Sequence, residues 1–284
     1  SAVSEVYGVT PKGTAVTFPA SAMYIAVSSA SGQGLSSIQL LELPDSSVGT
    51  VYVGTGTSTK ADTSTRYGYS SGSQRMGQLR FVPASGFTGS VEIPYVACNG
   101  NGTPIAAGKF SLGVVSNVKK FSDMSSSTWC YKYVVELSDA GVIDGYTDGS
   151  FKPDNTVTYG AALKLIMLAA GYPEQKPTDS NPFSGYLAKA RSEGIITRSN
   201  VNLSAPITRL QVAQLAAGAL KLDTSNLSSV QPFTDTTDPS VQALNAAGVV
   251  EGYFSGGKST YKPNNTLTRG QVSAIVWRME QLAG

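Results

Sequence analysis

Two arginines occupy an unusual position, at the start of predicted apolar helices. Arg209 lies in PITRLQVAQLAAGAL, residues 206–220, and Arg269 lies in TLTRGQVSAIVWRM, residues 266–279. A cation in the first helical turn is unfavourable by roughly 0.3 kcal/mol or more, because the helix dipole is positive there. A bound carboxylate would instead accept hydrogen bonds from free helix amides and from the guanidinium fork. The pattern therefore favours anion binding by Arg209 and Arg269 at free helix N-termini.

The residues around each arginine have a structural explanation of their own. Thr208 and Thr268 precede the arginines, and Gln211 and Gln271 follow the threonines by three positions. This is the spacing of a capping box, in which the threonine oxygen accepts the N3 amide and the glutamine reaches back to the N-cap amide. An exposed arginine paired with a nearby aspartate is the alternative to anion binding.

Composition argues against most kinds of catalytic site. The 284 residues include no histidine, which removes Ser-His-Asp and Cys-His catalysis and imidazole-based zinc sites. Glu42, Asp45 and Glu92 are carboxylates of the kind that glycosidases pair, but nothing places two of them at one site. DGYTDGSFKPDN, residues 144–155, lacks the EF-hand order of aspartates and predicts a turn. We expect no enzyme activity, no metal and no cofactor.

Charge and cysteine content also limit the partners. The formal net charge is +2 and charged residues make up 14% of the chain, which is not typical of proteins that bind nucleic acid or membrane surfaces. Cys98 and Cys130 lack CxxC spacing and lie in apolar runs, which slightly favours buried thiols over a disulfide. No run reaches the roughly 18 apolar residues of a transmembrane segment.

Residues 1–116 have the pattern of a β-sandwich. Short segments rich in Val, Ile, Tyr and Phe alternate apolar with polar residues between Gly, Ser, Pro and Asn clusters. These segments are AVTF, MYIAVSS, SIQLLEL, TVYVG, QLRFVP, SVEIPYVA and KFSLGVV. NGNGTP, residues 99–104, is typical of a hairpin turn. We predict an all-β domain, with a long polar loop or irregular edge near residues 54–77.

From Val118 onward the apolar period becomes helical and a repeat appears. Each repeat begins at a phenylalanine, contains a short helix ended by a glycine, and continues through a loop into a second helix. The phenylalanines are Phe121, Phe183 and Phe233, and the glycines are Gly141, Gly194 and Gly248. Three repeats, at about 118–171, 181–222 and 230–284, predict a mainly α domain over residues 117–284.

The recurring elements resemble those of a known family. Phe-Ser/Thr-Asp, Gly-Val-Ile/Val, Gly-Tyr, Phe/Tyr-Lys-Pro-Asn/Asp-Asn and Thr-Arg-x-Gln recur in order, as in three S-layer homology (SLH) domains. LRFVPASGFTGSVEIPY, residues 79–95, resembles the F-x-P-x-x-G-F-x-G pattern of Ig-like or cadherin-like repeats in bacterial surface proteins. The resemblance implies an Ig-like sandwich followed by a pseudo-threefold helical SLH assembly.

The SLH resemblance also implies a function and a set of contacts. SLH domains anchor proteins non-covalently to anionic secondary cell-wall polymers, often pyruvylated glycans, so we expect an extracellular protein at the bacterial cell wall that could self-associate in a surface layer. Arg209 and Arg269 would be carboxylate forks, and Asp123 and Asp235 would order them, pair with them or accept sugar hydroxyls. The weaker candidates for stacking and edge contacts, with packing roles as the alternative, are Trp129, Tyr146 and Tyr253.

The sequence departs from the SLH pattern at several positions. Tyr159 stands where the first repeat should carry its arginine, so one groove is expected to be inactive. Gly185 stands for the leading aspartate of the second repeat, and the glutamate of the family's motif is replaced throughout. The replacements of that glutamate are Ala161, Gln211 and Gln271. The alternative function is a structural or adhesive scaffold whose repeats no longer bind polymer.

Overall fold

The computed structural model describes residues 3–283 and divides the chain into two compact units, residues 1–120 and 121–284. Among the described residues, no helix combines the length and the apolar character that crossing a membrane would require.

The N-terminal unit contains two sheets with a common apolar core. Its strands are β1 (Val3–Pro11), β2 (Val16–Thr17), β3 (Ser37–Leu40), β4 (Gly49–Val53), β5 (Arg66–Gly68), β6 (Leu79–Pro83), β7 (Gly89–Cys98) and β8 (Pro104–Val115). A five-stranded sheet has the order β1-β8-β7-β3-β5, and a three-stranded sheet has the order β2-β6-β4. β1 and β8 are parallel, and the other neighbouring strands are antiparallel.

All but one of the predicted strand segments contain a strand. The hairpin between β7 and β8 is also confirmed, because the Asn99 side chain accepts the amides of Asn101 and Thr103 at 3.0 and 3.1 Å. β1 was not predicted, and neither was β5, which lies within the polar segment 54–77 and pairs with β3. β5 has only three residues, too few to show the apolar alternation on which the prediction depends.

The prediction that this unit is all-β is wrong, because residues Ala20–Ser31 form helix α1. MYIAVSS was expected to be a strand. Met23 and Val27 are fully buried, whereas Ile25 between them is 65% exposed. A strand would place all three on one face, but a helix places only residues four apart together. The segment therefore follows the helical period.

The C-terminal unit consists of three helix pairs and one hairpin. The helices are α2 (Tyr131–Asp139), α3 (Tyr159–Ala169), α4 (Ser184–Ser192), α5 (Arg209–Ala219), α6 (Pro239–Ala246) and α7 (Arg269–Ala283), and the hairpin joins β9 (Tyr253–Ser255) to β10 (Lys258–Thr260). Their buried apolar side chains form one continuous cluster. The glycines predicted to end the first helices have left-handed backbones at Gly141, Gly194 and Gly248.

The segments before the second helices of the three repeats meet one another. Isolated β-bridges join repeat one to repeat two, repeat two to repeat three, and repeat three to repeat one; they are Thr158↔Pro206, Thr208↔Thr266 and Thr156↔Thr268. Between the bridging residues lie Val157, Ile207 and Leu267, all at most 2% exposed. Each repeat therefore contacts both others at the start of its second helix.

The second repeat departs from the predicted alignment at its first helix. Phe183 is the N-cap of α4, whereas the phenylalanines of the other repeats lie further upstream of α2 and α6. Gly185, predicted to stand for the leading aspartate, lies within α4, and upstream of this helix Asp179 accepts the Asn181 amide at 2.7 Å. Gly185 instead lets α4 approach the backbone of Lys176, whose carbonyl oxygen would clash with a Cβ atom.

Candidate functional site

Both predicted capping boxes are present. At α5, the Gln211 amide donates to Thr208 Oγ1 at 3.2 Å and the Thr208 amide donates to Gln211 Oε1 at 3.0 Å. At α7, the Gln271 amide donates to Thr268 Oγ1 at 3.2 Å and the Thr268 amide donates to Gln271 Oε1 at 2.9 Å. The threonines and glutamines of both motifs therefore cap their helices.

The expectation of free helix N-termini is wrong. The amides of Arg209 and Leu210 donate to carbonyl oxygens of residues 265 and 263 at 2.8 and 2.9 Å, and those of Arg269 and Gly270 donate to residues 155 and 153 at 2.9 and 2.8 Å. The first two amides of α3 are bound by residues 205 and 203 in the same way. A loop from another repeat thus takes the donors that an anion would have used.

The guanidinium of Arg209 is buried against the third repeat. Its Nε donates to the Tyr261 carbonyl at 2.7 Å and its Nη2 to the Glu251 carbonyl at 2.9 Å. Its central carbon lies 4.4 Å from the ring centroid of Tyr261 and 5.1 Å from that of Tyr253. The Nε–Nη2 edge, which would form a bidentate pair with a carboxylate, is therefore engaged with backbone carbonyls.

Arg269 makes the equivalent contacts with the first repeat. Its Nε donates to the Phe151 carbonyl at 2.8 Å and its Nη2 to the Asp144 carbonyl at 3.0 Å. The guanidinium carbon lies 4.8 Å from the ring centroid of Tyr146 and 4.4 Å from that of Phe151. Burial lowers the pKa of Arg269 from its ordinary value. Both arginines thus fasten the start of a helix to a loop of another repeat.

Asp123 and Asp235 act on these arginines through the loop backbone. Asp235 accepts the amides of residues 261 and 262 at 2.8 and 2.9 Å, and Asp123 accepts those of residues 151 and 152 at 2.9 and 2.8 Å. The carbonyls of residues 261 and 151 are the acceptors of the Arg209 and Arg269 Nε atoms. Each aspartate therefore orients the peptide that its arginine binds.

The carboxylate of Asp123 is expected to make the stability of the C-terminal unit depend on acid pH. The Phe151 amide holds the pKa of Asp123 below its ordinary 3.8, partly offset by desolvation. A lowered folded pKa contributes stability that is fully present above the ordinary pKa of 3.8 and is lost as the pH falls from that value through the lower pKa of the folded state. Urea denaturation should show a gap between wild type and Asp123→Asn that shrinks on acidification. Asp154→Asn, exposed on the same loop, is the control, and a gap independent of pH would contradict the assignment.

The start of α3 has a different arrangement, because Tyr159 holds the place of the arginine. Tyr159 is buried, which raises its pKa, and the guanidinium carbon of Arg198 lies 5.6 Å from its ring centroid. Arg191 donates from Nη1 and Nη2 to the carbonyls of Arg198 and Ser199 at 2.9 and 3.0 Å. At this interface the helix supplies the ring and the loop supplies the guanidinium, the reverse of the other two.

A groove of about 200 Å³ lies beside Arg209. It is lined by Trp129, Arg209, Val250, Glu251, Gly252, Tyr253, Gln271, Ala274, Ile275 and Arg278. Trp129 was weighed as a core residue, but it precedes α2 and is 55% exposed. Its indole packs against Gly270, where a Cβ atom would lie 3.0 Å from the ring. We call this cavity the Arg209 groove.

The structure divides the predicted site residues into two clusters. Trp129, Arg209 and Tyr253 line the Arg209 groove, and Asp235 fixes the adjoining loop. Tyr146, Arg269 and Asp123 form the second cluster, where the amine of Lys152 also lies 4.3 Å from the Tyr146 ring centroid. The sequence analysis did not identify Arg278 as a site residue; its signal was the spacing of seven from Gln271, which puts both on one helix face.

The aspartates and cysteines outside these clusters have structural roles. Within residues 3–283, no group of three or more Cys, Asp or Glu side chains is arranged to hold a metal ion. Asp148, in the segment that was compared with a calcium loop, accepts the Ser150 amide at 2.9 Å and so forms a turn. Cys98 and Cys130 are buried free thiols, and burial raises the pKa of Cys130 to about 11. Such a thiol is a poor nucleophile.

Comparison with known families identifies part of the C-terminal unit. Residues 120–163 and 232–273 match the family model of the S-layer homology domain. These segments lie in the first and third repeats and contain Asp123, Trp129, Tyr146, Asp235, Tyr253 and Arg269. Arg209 lies in the second repeat, outside both matched segments.

Three curated relatives match parts of the chain. The middle cell wall protein of Brevibacillus brevis is 30% identical over 36% of this chain and 10% of its own length. An endoglucanase of a Bacillus species is 26% identical over 58% of this chain and 19% of its own length. The surface layer protein of Brevibacillus choshinensis is 38% identical over 18% of this chain and 5% of its own length. The chain thus spans less than a fifth of each relative. Two of its segments match the S-layer homology domain, and the matches point to the cell surface and cell wall as its location.

Proposed function

We propose that this chain anchors its protein non-covalently to an anionic secondary cell-wall polysaccharide, through the Arg209 groove. The observation that carries the proposal is the composition of this groove, which joins an exposed indole, a tyrosine, an amide side chain and two guanidinium groups. An aromatic face accepts the C–H groups of a sugar ring, and guanidinium and amide donors suit hydroxyls and carboxylates. A pyruvylated glycan has both features.

Arg209 and Arg269 contribute mainly by shaping the sites, and in this proposal they contact ligand only through the Nη1 atoms that the loop carbonyls leave free. Tyr253 and Tyr146 are the edge contacts of the two clusters. Asp235 and Asp123 hold the loops. Of the three interfaces at the starts of α3, α5 and α7, the one at α3 is the least suited to bind an anionic ligand, because it lacks the helix arginine. Nothing in this arrangement supplies a catalytic acid and base, so the proposed role is attachment, with self-association in a surface layer as a further expectation.

The alternative role is a structural scaffold, and a specific observation favours it. The guanidinium edges of Arg209 and Arg269 are already engaged with loop backbone, and so are the first two amides of the second helix in each of the three repeats. Polymer binding would then be absent, and the arginines would serve only to join the repeats.

Sedimentation with purified cell-wall sacculi distinguishes these roles. Sacculi from Brevibacillus and Bacillus species are compared before and after extraction of the secondary polymer. The wild-type chain is expected to pellet only with unextracted walls. Trp129→Ala should weaken pelleting by about tenfold or more, as expected for loss of a stacked tryptophan contact. Phe254→Ala removes another exposed ring, on the β9–β10 hairpin outside the groove lining, and should have little effect.

The outcomes separate the three classes of function. Pelleting lost on extraction and in Trp129→Ala supports attachment through the groove. No pelleting with any wall supports the scaffold. Release of soluble sugars from the walls would indicate an enzyme and contradict the proposal.

A further inference from the structure

One face of α7 forms a wall of the Arg209 groove. Gln271, Ala274, Ile275 and Arg278 all line it, at the i, i+3, i+4 and i+7 spacing of a single helical stripe. Gln271 is held at one end by its capping box with Thr268. Arg278 lies at the other end, almost two helical turns away. The small side chain of Ala274 keeps the space between them open.

Arg278 differs from Arg209 in what its guanidinium contacts. Arg209 is 7% exposed and donates from both Nε and Nη2 to backbone carbonyls. Arg278 is half-buried, and within residues 3–283 it has neither a hydrogen bond nor an ion pair. The ring centroid of Tyr133 lies 6.0 Å from its guanidinium carbon. The donors of Arg278 are therefore free.

The charges of the groove lining also leave Arg278 without an internal partner. Glu251 is the one acidic residue among the lining residues, and it contributes a carbonyl oxygen to Arg209. Among the described residues, no salt bridge joins the Glu251 carboxylate to either arginine. A half-buried guanidinium without a counter-ion is a site where an external anion gains a charge-assisted, bidentate contact.

We propose that Arg278 is the anion contact of the Arg209 groove and that the ligand is an acidic saccharide whose carboxylate it binds. The inference rests on the proposed function and assigns the charge recognition to a residue other than the two motif arginines. Trp129 carries the sugar ring, Gln271 and Tyr253 bind polar groups beside it, and Arg209 positions the loop. A neutral saccharide would keep the stacking contact and lose the charged one.

The Arg209 groove differs from its counterparts at one position of the second helix. The position ten residues after the capping threonine is Arg278 in the third repeat, but it is Leu168 in the first and Gly218 in the second. Neither offers a donor. Of these three equivalent positions, only the one on α7 supplies a guanidinium, so the proposed carboxylate contact depends on α7.

Binding to native and carboxylate-blocked sacculi tests the assignment. Wall carboxylates are converted to neutral amides with carbodiimide and methylamine. Arg278→Gln should bind native walls at least about tenfold more weakly than wild type, which corresponds to about 1.4 kcal/mol, with an unchanged thermal unfolding midpoint. Arg278→Lys keeps the charge but not the bidentate guanidinium, so its binding should be weaker than that of wild type and stronger than that of Arg278→Gln. Lys176→Gln removes an exposed charge elsewhere and should match wild type.

Blocking the carboxylates should weaken the wild type to the level of Arg278→Gln and should weaken the variant little further, because one contact cannot be lost twice. Independent, additive losses would overturn the inference, since the carboxylate would then bind elsewhere. Full binding by Arg278→Gln alongside weak binding by Trp129→Ala would overturn it while leaving the attachment function in place. Absence of binding by the wild type would contradict the attachment function itself, and the inference with it.

Discussion

Replacement of Arg209 by alanine is expected to lower the free energy of unfolding of the C-terminal unit by about 3 kcal/mol. The buried guanidinium donates two hydrogen bonds, of 2.7 and 2.9 Å, to carbonyls of the third repeat. Hydrogen bonds from charged donors contribute about 1.5–3 kcal/mol each, and contact with the Tyr253 and Tyr261 rings adds to this. Water entering the groove would hydrate the two carbonyls left without a donor and so recover part of the lost free energy. The expected loss therefore lies near the lower end of the summed hydrogen-bond contributions.

Urea denaturation of the whole chain measures this loss, with two variants as controls. Arg209→Lys retains the charge but cannot reach both carbonyls from one ammonium, so it should recover only part of the stability. Arg191→Ala removes an arginine that also donates to two carbonyls, at 2.9 and 3.0 Å, but from an exposed position. Its cost should be below about 1 kcal/mol, because solvent replaces exposed polar contacts. Equal losses in Arg209→Ala and Arg191→Ala would contradict the argument.

An arginine in the first helical turn has a structural role in this fold. The dipole argument treats the cation as unfavourable unless an anion is bound. Here the dipole cost is offset by another negative partner, the loop carbonyl oxygens of a different repeat. Those same loops occupy the helix amides. The motif therefore joins repeats first, and any ligand binds beside a contact that is already complete.

Features determined by neighbouring residues were predictable from the sequence. The capping boxes, the left-handed glycines after the helices and the Asn-Gly hairpin depend on spacing of a few positions, and all were confirmed. The partners of the arginines lie 52 and 118 residues away along the chain for the Nε bonds, so no local pattern reveals them. Helix α1 was missed because MYIAVSS fits both periods, and only the exposure of Ile25 separates them.

The candidate site was predictable by residue type and less so by residue role. An aromatic residue and an arginine are natural ligand contacts, and Trp129, Tyr253 and Arg209 do line one groove. Their roles depend on which guanidinium edge is free and which helix face is open, and both are tertiary properties. Arg278 was overlooked because a cation late in an amphipathic helix usually indicates a solvated face.

Gly252→Ala is expected to destabilise the C-terminal unit by about 2–4 kcal/mol, the range for severe overpacking. A Cβ atom at this position would clash with the Phe233 ring and lie 2.5 Å from the Thr260 carbonyl oxygen. Phe233 is 6% exposed and packs against Tyr261 at 5.5 Å between ring centroids, so the ring has no free space to enter. The carbonyl is backbone and cannot rotate away by itself.

The first and third repeats have glycine at this position, whereas the second has an arginine. Gly145 in the first repeat would clash in the same manner with Phe121 and with the Ser150 carbonyl, at 2.6 and 2.7 Å, so Gly145→Ala should be comparably destabilising. Arg198 holds this position in the second repeat, and its side chain is exposed there. Gly100→Ala, at a glycine with no atom near its Cβ, is the control. Thermal denaturation measures these effects. If Gly252→Ala and Gly145→Ala unfolded at the same temperature as wild type, the loops would be able to relax around the added methyl group. The close packing of phenylalanine on glycine would then not be what fixes these loops beside the arginines.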